Sequence, residues 1–125
     1  MREDEALKFK AIKIANVVSD NDIFVLAALD SEGGIVQFQR GMTEATNREY
    51  PPYFEVDNQV NGRYGIIKKC TLNRDLLRIE LNRSQNGILF IDVELFLVDY
   101  NFHGIACDLT TIFRGFDHCL EVVSP

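Results

Sequence analysis

The sequence contains no apolar run near the ~18 residues that a bilayer-crossing helix requires, so no such helix is expected. Histidine occurs only twice and cysteine three times, at Cys70, Cys107 and Cys119. The odd number and the lack of any C-x-x-C spacing argue against a disulfide framework and for reduced thiols. There is no G-x-S-x-G elbow, no H-E-x-x-H pair and no glycine-rich phosphate loop. Gly33-Gly34 lies beside acids, the wrong charge for a phosphate cradle. Met1-Arg2-Glu3-Asp4-Glu5 lacks the basic region and apolar stretch of a secretion signal, which leads us to expect a cytoplasmic protein.

What is present fits one domain spanning 1–125. Hydrophobic residues make up 46% and charged residues 26%, the balance of a chain that can bury its own core. The net charge is −6 and the pI near 4.8. That surface repels phosphate backbones, so no nucleic acid partner is expected. It steers the domain toward basic macromolecules, although solubility alone accounts for such a charge in many small proteins.

Turn residues cut the chain into short apolar segments. Phe9 to Val18 reads as one strand, ending at Ser19-Asp20-Asn21-Asp22. Ile23 to Leu29 is continuously apolar and predicts a central strand covered on both sides. After Asp30-Ser31-Glu32-Gly33-Gly34, Val36 and Phe38 alternate with Gln37 and Gln39, completing a first meander. Residues 41–52 are irregular and end in Tyr50-Pro51-Pro52, with a short helical turn at Thr43 to Asn47. A second meander runs through Tyr53 to Val56, a hairpin turn at Asn61-Gly62, then Tyr64 to Leu72, Leu76 to Leu81 and Ile88 to Leu97. Phe102, Ile105, Ala106, Leu109, Ile112 and Phe113 form one stripe at helical spacing, with Asp99 as N-cap and Gly115 as terminator. The tail from Phe116 pads an edge or adds a strand. The expected fold is therefore α+β: two antiparallel β-meanders forming a mostly antiparallel sheet, packed by one C-terminal amphipathic helix.

Few residue sets carry reactive chemistry. His103 and Cys107 share a helical face and His118-Cys119 follow, but the spacing is not that of a zinc site, and we expect neither metal nor cofactor. The same His103–Cys107 pair lacks the electropositive setting of a reactive thiolate, and Asp92 and Glu94 read as solvent-facing. No catalytic residue is expected. Arg63, Lys68, Lys69, Arg74, Arg78 and Arg83 cluster on the second meander, mixed with Asp75 and Glu80. They read as a cross-paired strand face rather than a nucleic-acid contact. Tyr53, Glu55, Asp57, Gln59 and Tyr64 surround one hairpin. Side chains of this kind often bond only their own turn, but they are the best candidates for contacting a protein partner.

The order Tyr53-Phe54-Glu55-Val56-Asp57-Asn58-Gln59, Tyr64-Gly65-Ile66-Ile67, Cys70-Thr71-Leu72 and Leu76-Leu77-Arg78-Ile79-Glu80-Leu81 resembles the tenth immunity-protein family of bacterial polymorphic-toxin systems. So does the passage Val93 to Asp99, with Ile112-Phe113 near the helix end. The likeness spans residues 53–114. It implies a non-catalytic cytoplasmic inhibitor that binds a cognate toxin, with a basic toxin the natural fit to the charge. The alternative is a structural or assembly module forming a homo-oligomer through its sheet edges.

Overall fold

The apolar alternations build ten strands and one helix in a computed structural model that describes residues 5–99 and 101–123. The acidic residues 1–4 and the last two residues lie outside that description. The strands are β1 (Glu5–Lys10), β2 (Lys13–Val18), β3 (Ile23–Leu29), β4 (Ile35–Gly41), β5 (Tyr53–Val56), β6 (Val60–Tyr64), β7 (Ile67–Asn73), β8 (Leu76–Gln85), β9 (Ile88–Glu94) and β10 (Leu120–Val123). The helix α1 spans Phe102–Ile112. The class is α+β, as expected. The meanders, however, belong to two five-stranded sheets rather than one.

A meander sheet, ordered β2-β3-β4-β5-β6, is antiparallel throughout. A mixed sheet, ordered β1-β9-β8-β7-β10, holds the β7-β8-β9 meander between two outer strands that pair in parallel, β1 on β9 and β10 on β7. The chain changes sheets at two places that alternation does not reveal. Phe9 to Val18 is two strands, not one. Between them Ala11 is fully buried and donates to the Glu94 carbonyl, while Ile12 donates to Leu29 in the other sheet. The second change is at Gly65, whose φ of 72° only glycine adopts without strain.

The hairpin joining β5 and β6 also differs from expectation. Its turn is Asp57-Asn58-Gln59, with Asn58 at φ 62°, and Asn61-Gly62 lies inside β6. Core packing decides this: Val56 and Val60 are paired in register and both buried, so the reversal has to precede Val60.

One apolar core joins the inner faces of both sheets and the helix. It contains Leu26, Val36, Phe38 and Phe54 from the meander sheet, Leu72, Ile79, Ile91 and Val93 from the mixed sheet, and Ile105, Leu109 and Ile112 from α1. Phe38 meets Phe54 at 5.0 Å and Phe113 at 6.3 Å between ring centres, linking sheet to helix end. The helical stripe is thus buried as the spacing predicts.

Its N-cap is Asn101, not Asp99. The Asn101 side-chain oxygen accepts from the backbone N–H of His103 at 2.8 Å and of Gly104 at 3.3 Å, the two donors a cap must satisfy. Asn101→Ala is expected to cost about 1 kcal/mol, a fall in Tm of about 4 °C by calorimetry, with α1 retained. No change in Tm would show that water serves these donors equally well.

At the other end of the helix a buried cation takes over. Arg40, the last inward-facing residue of β4, is 4% exposed. Its Nη1 donates to the carbonyls of Ile112 (2.8 Å) and Arg114 (2.7 Å), and its Nη2 donates to that of Arg48 (2.7 Å). The guanidinium thus occupies the negative end of the helix and satisfies carbonyls that the helix leaves open.

Candidate functional site

The two sheets present opposite kinds of outer face. On the mixed sheet the charges neutralise one another. The register aligns Lys8, Asp92, Arg78, Thr71 and Glu121 across all five strands. Asp92, 4% exposed, lies 2.8 Å from Lys8 Nζ and 3.2 Å from Arg78 Nε. Arg78 in turn covers the Phe90 ring at 4.2 Å. Lys69 pairs with Glu121 and Lys68 with Glu80. Three members of the basic cluster, Lys68, Lys69 and Arg78, are therefore engaged within the sheet, and Arg63 stands on the other sheet altogether.

The outer face of the meander sheet is different. One register row runs Val17, Val25, Gln39, Tyr53, Tyr64 across its five strands, and the next runs Ala15, Ala27, Gln37, Glu55. None of these residues joins the core cluster, and Val17 (57%), Tyr64 (52%) and the neighbouring Tyr50 (50%) stand half exposed. The continuous apolar run of β3 is explained here: the strand lies between β2 and β4 with none of its residues exposed, but the core covers only one of its sides, the other being screened by neighbouring side chains of the sheet. Phe24, Leu26 and Ala28 face the core, whereas Val25, Ala27 and Leu29 lie on the other face, where neighbouring side chains leave Ala27 only 8% exposed and Val25 and Leu29 partly buried.

Aromatic packing holds the tyrosine end of this face. Tyr64 meets both Tyr50 and Tyr53 edge-to-face at 5.4 Å. The Tyr53 ring lies across Gly62, where any Cβ would collide with it. Tyr53 Oη donates to Glu55 at 3.0 Å, and Gln39 donates its amide to Gln37 at 2.8 Å. Burial, followed by the bond to Glu55 and its charge, raises the Tyr53 pKa, so the phenol remains a neutral donor.

The five residues singled out from the sequence are divided. Tyr53, Glu55 and Tyr64 lie together on this face. Asp57 and Gln59 lie in the hairpin turn at one end of it and line a groove of about 310 Å³ that also takes in Asp30, Glu32 and Lys8. Val17, Val25, Gln39 and Tyr50 complete the face and were not identified as site residues. For Val25 alone the sequence held a signal, an apolar run too long for a one-sided strand.

Acids frame both ends. Asp30, Glu32 and Asp57 stand at the end of the β3–β4 and β5–β6 turns, and Asp20, Asp22, Glu44 and Glu49 at the other. Over residues 13–64 there are eight carboxylates against four cations, one of which is the buried Arg40.

His103 and Cys107 are exposed on α1, and among the described residues no group of three or more His, Cys, Asp or Glu is placed to hold a metal ion. Burial pushes the Cys70 thiol up, with Cys119 adding to it, and burial also raises Cys119, so neither is poised as a thiolate. Among the described residues no helix is long and apolar enough to cross a membrane. No protein-family model, no curated protein and no solved structure matches this chain.

Proposed function

We propose that this chain is a non-catalytic immunity protein that acts in the bacterial cytoplasm and neutralises a cognate toxin domain by docking it on the outer face of the meander sheet. The observation that carries the reading is that face: Val17, Val25, Gln39, Tyr53 and Tyr64 in one uncovered row, braced from beneath by the core. Tyrosine, amide and small apolar groups on a rigid sheet offer contact area with little entropy to lose. The sequence resemblance over Tyr53 to Gln59 and Tyr64 to Ile67 points the same way.

Size and charge define the partner. Strands about 4.8 Å apart and two residue rows make the face roughly 20 by 14 Å, on the order of 300 Å². A stable interface covers about 800 Å² on each partner, so the acidic ends must take part. A partner with an apolar or amide centre and lysine or arginine at its margins fits both features.

Co-expression with the toxin encoded beside it is expected to restore growth and give a complex on size exclusion. Gln39→Arg, which places a charge mid-face, is expected to abolish both while leaving Tm within a few degrees. Because the margins are acidic, the association rate is expected to fall about tenfold between about 50 and 500 mM salt. Absence of both rescue and complex for the wild-type chain would end the proposal; rescue that survives Gln39→Arg would move the interface elsewhere. The competing occupant is a second copy of the chain joined through the β2 edge, where Val17 and Val18 are exposed. Light scattering that finds a stable dimer, one that Gln39→Arg on the central strand leaves intact, would favour it.

A further inference from the structure

Beyond partner docking, we infer that the cavity beside Arg40 is a seat for a small phosphate-class oxyanion. The cavity measures about 390 Å³ and is lined by Arg40, Arg48 and Arg114 together with Met42, Glu49 and Phe116. Three arginine residues thus line one opening in a chain whose net charge is −6.

The central one is unusual. Arg40 carries its charge at 4% exposure, and among the described residues its hydrogen bonds go to carbonyl oxygens and none to a carboxylate. Its Nε, enclosed behind the fork, has no hydrogen-bond acceptor among the described residues. The Phe116 ring, 5.2 Å from the guanidinium carbon, closes one side with apolar surface. Burial, and after it the nearby Arg114 charge, lower the Arg40 pKa, while the Glu49 charge acts the other way. A buried cation in such a setting is stabilised by any anion that can approach it.

Arg48 and Arg114 are exposed and supply donors at the mouth, where a tetrahedral oxyanion accepts several charge-assisted hydrogen bonds. Glu49 is the one carboxylate on the wall. It lies 3.6 Å from Arg48 Nε with its side chain 89% exposed, so it can swing into solvent when an anion takes its place. The anion would also tie the 41–50 loop to the end of α1, adding to the bond that Arg40 already makes to Arg48.

Inorganic phosphate and a simple phosphate monoester are the probes, each against chloride at matched ionic strength. At about tenfold over its Kd, phosphate is expected to raise Tm by about 3–6 °C. Phosphate also stabilises proteins generally by exclusion from their surfaces, so the decisive reading is the difference between variants. Arg48→Ala and Arg114→Ala, at exposed positions, are each expected to weaken binding about tenfold. Glu49→Gln, which removes the competing carboxylate, is expected to tighten it about threefold. An equal response to both probes assigns the site to free phosphate, and a stronger one to the ester assigns it to a phosphorylated small molecule. Identical phosphate dependence in wild type, Arg48→Ala and Arg114→Ala, or a phosphorus resonance unchanged by the protein, would overturn the site. This outcome is independent of toxin binding.

Discussion

Arg40→Leu is expected to destabilise the fold by about 3–5 kcal/mol, a fall in Tm of about 12–20 °C, the largest loss from any single polar replacement here. Leucine fills part of the volume but leaves the carbonyls of Ile112, Arg114 and Arg48 without their donor, one of them at a buried site. Each orphaned carbonyl costs about 1–3 kcal/mol where water cannot reach it. Arg40→Lys separates charge from geometry. An ammonium keeps the favourable sign at the helix end but cannot span the carbonyls that the planar fork reaches from two nitrogens. It is expected to recover less than half of the loss in urea unfolding. Full recovery would mean that charge alone matters, and no loss in Arg40→Leu would mean that the helix end reorganises around leucine.

Tyr53→Ala and Tyr64→Ala are expected to weaken the proposed complex by about 2–4 kcal/mol each, or about 30- to 1,000-fold in Kd, with little change in stability. Both rings lie on the open face rather than in the core, so truncation removes contact area and leaves no internal cavity. Their losses are not expected to add, because the two rings touch and support one another. Gly62→Ala tests the same surface without deleting any contact group. Its methyl would displace the Tyr53 ring, and affinity is expected to fall while the Tyr53 side chain remains present. Calorimetric titration of each variant with the toxin domain reads these effects. Wild-type affinity in all three would remove the tyrosine end from the interface. By contrast, Phe54→Ala, in the fully buried core, is expected to lose stability first and binding only as a consequence.

Much of the fold was legible in the residues. The helical stripe from Phe102 to Phe113, the alternation of Gln37 and Gln39 with Val36 and Phe38, and the charge mixing around Arg78 and Glu80 each predicted its element or face, because period and turn chemistry act over a few residues. The N-cap was misplaced by two residues since Asp99 and Asn101 are equally competent caps, and only the helix start distinguishes them. The Asn61-Gly62 turn failed because the burial of Val56 and Val60 outweighed a strong local preference. Of the residues on the outer face of the meander sheet, Tyr53, Glu55 and Tyr64 were singled out from the sequence. Val25 and Gln39 were not, because neither residue type is unusual in an ordinary strand.

By itself the sequence determined most of the elements, the α+β class, the acidic charge and the lack of familiar catalytic motifs, all of them properties of residue type and short-range spacing. Only tertiary structure decided that the meanders part into two sheets, that β1 and β10 join the mixed sheet in parallel, and that one face of β3 remains open. Periodicity records which side chains share a face and carries no information about what covers it. That depends on partners far apart in the chain, such as Lys8 with Asp92 or Arg40 with the carbonyl of Ile112, which meet only once the sheets and the helix have closed on their common core.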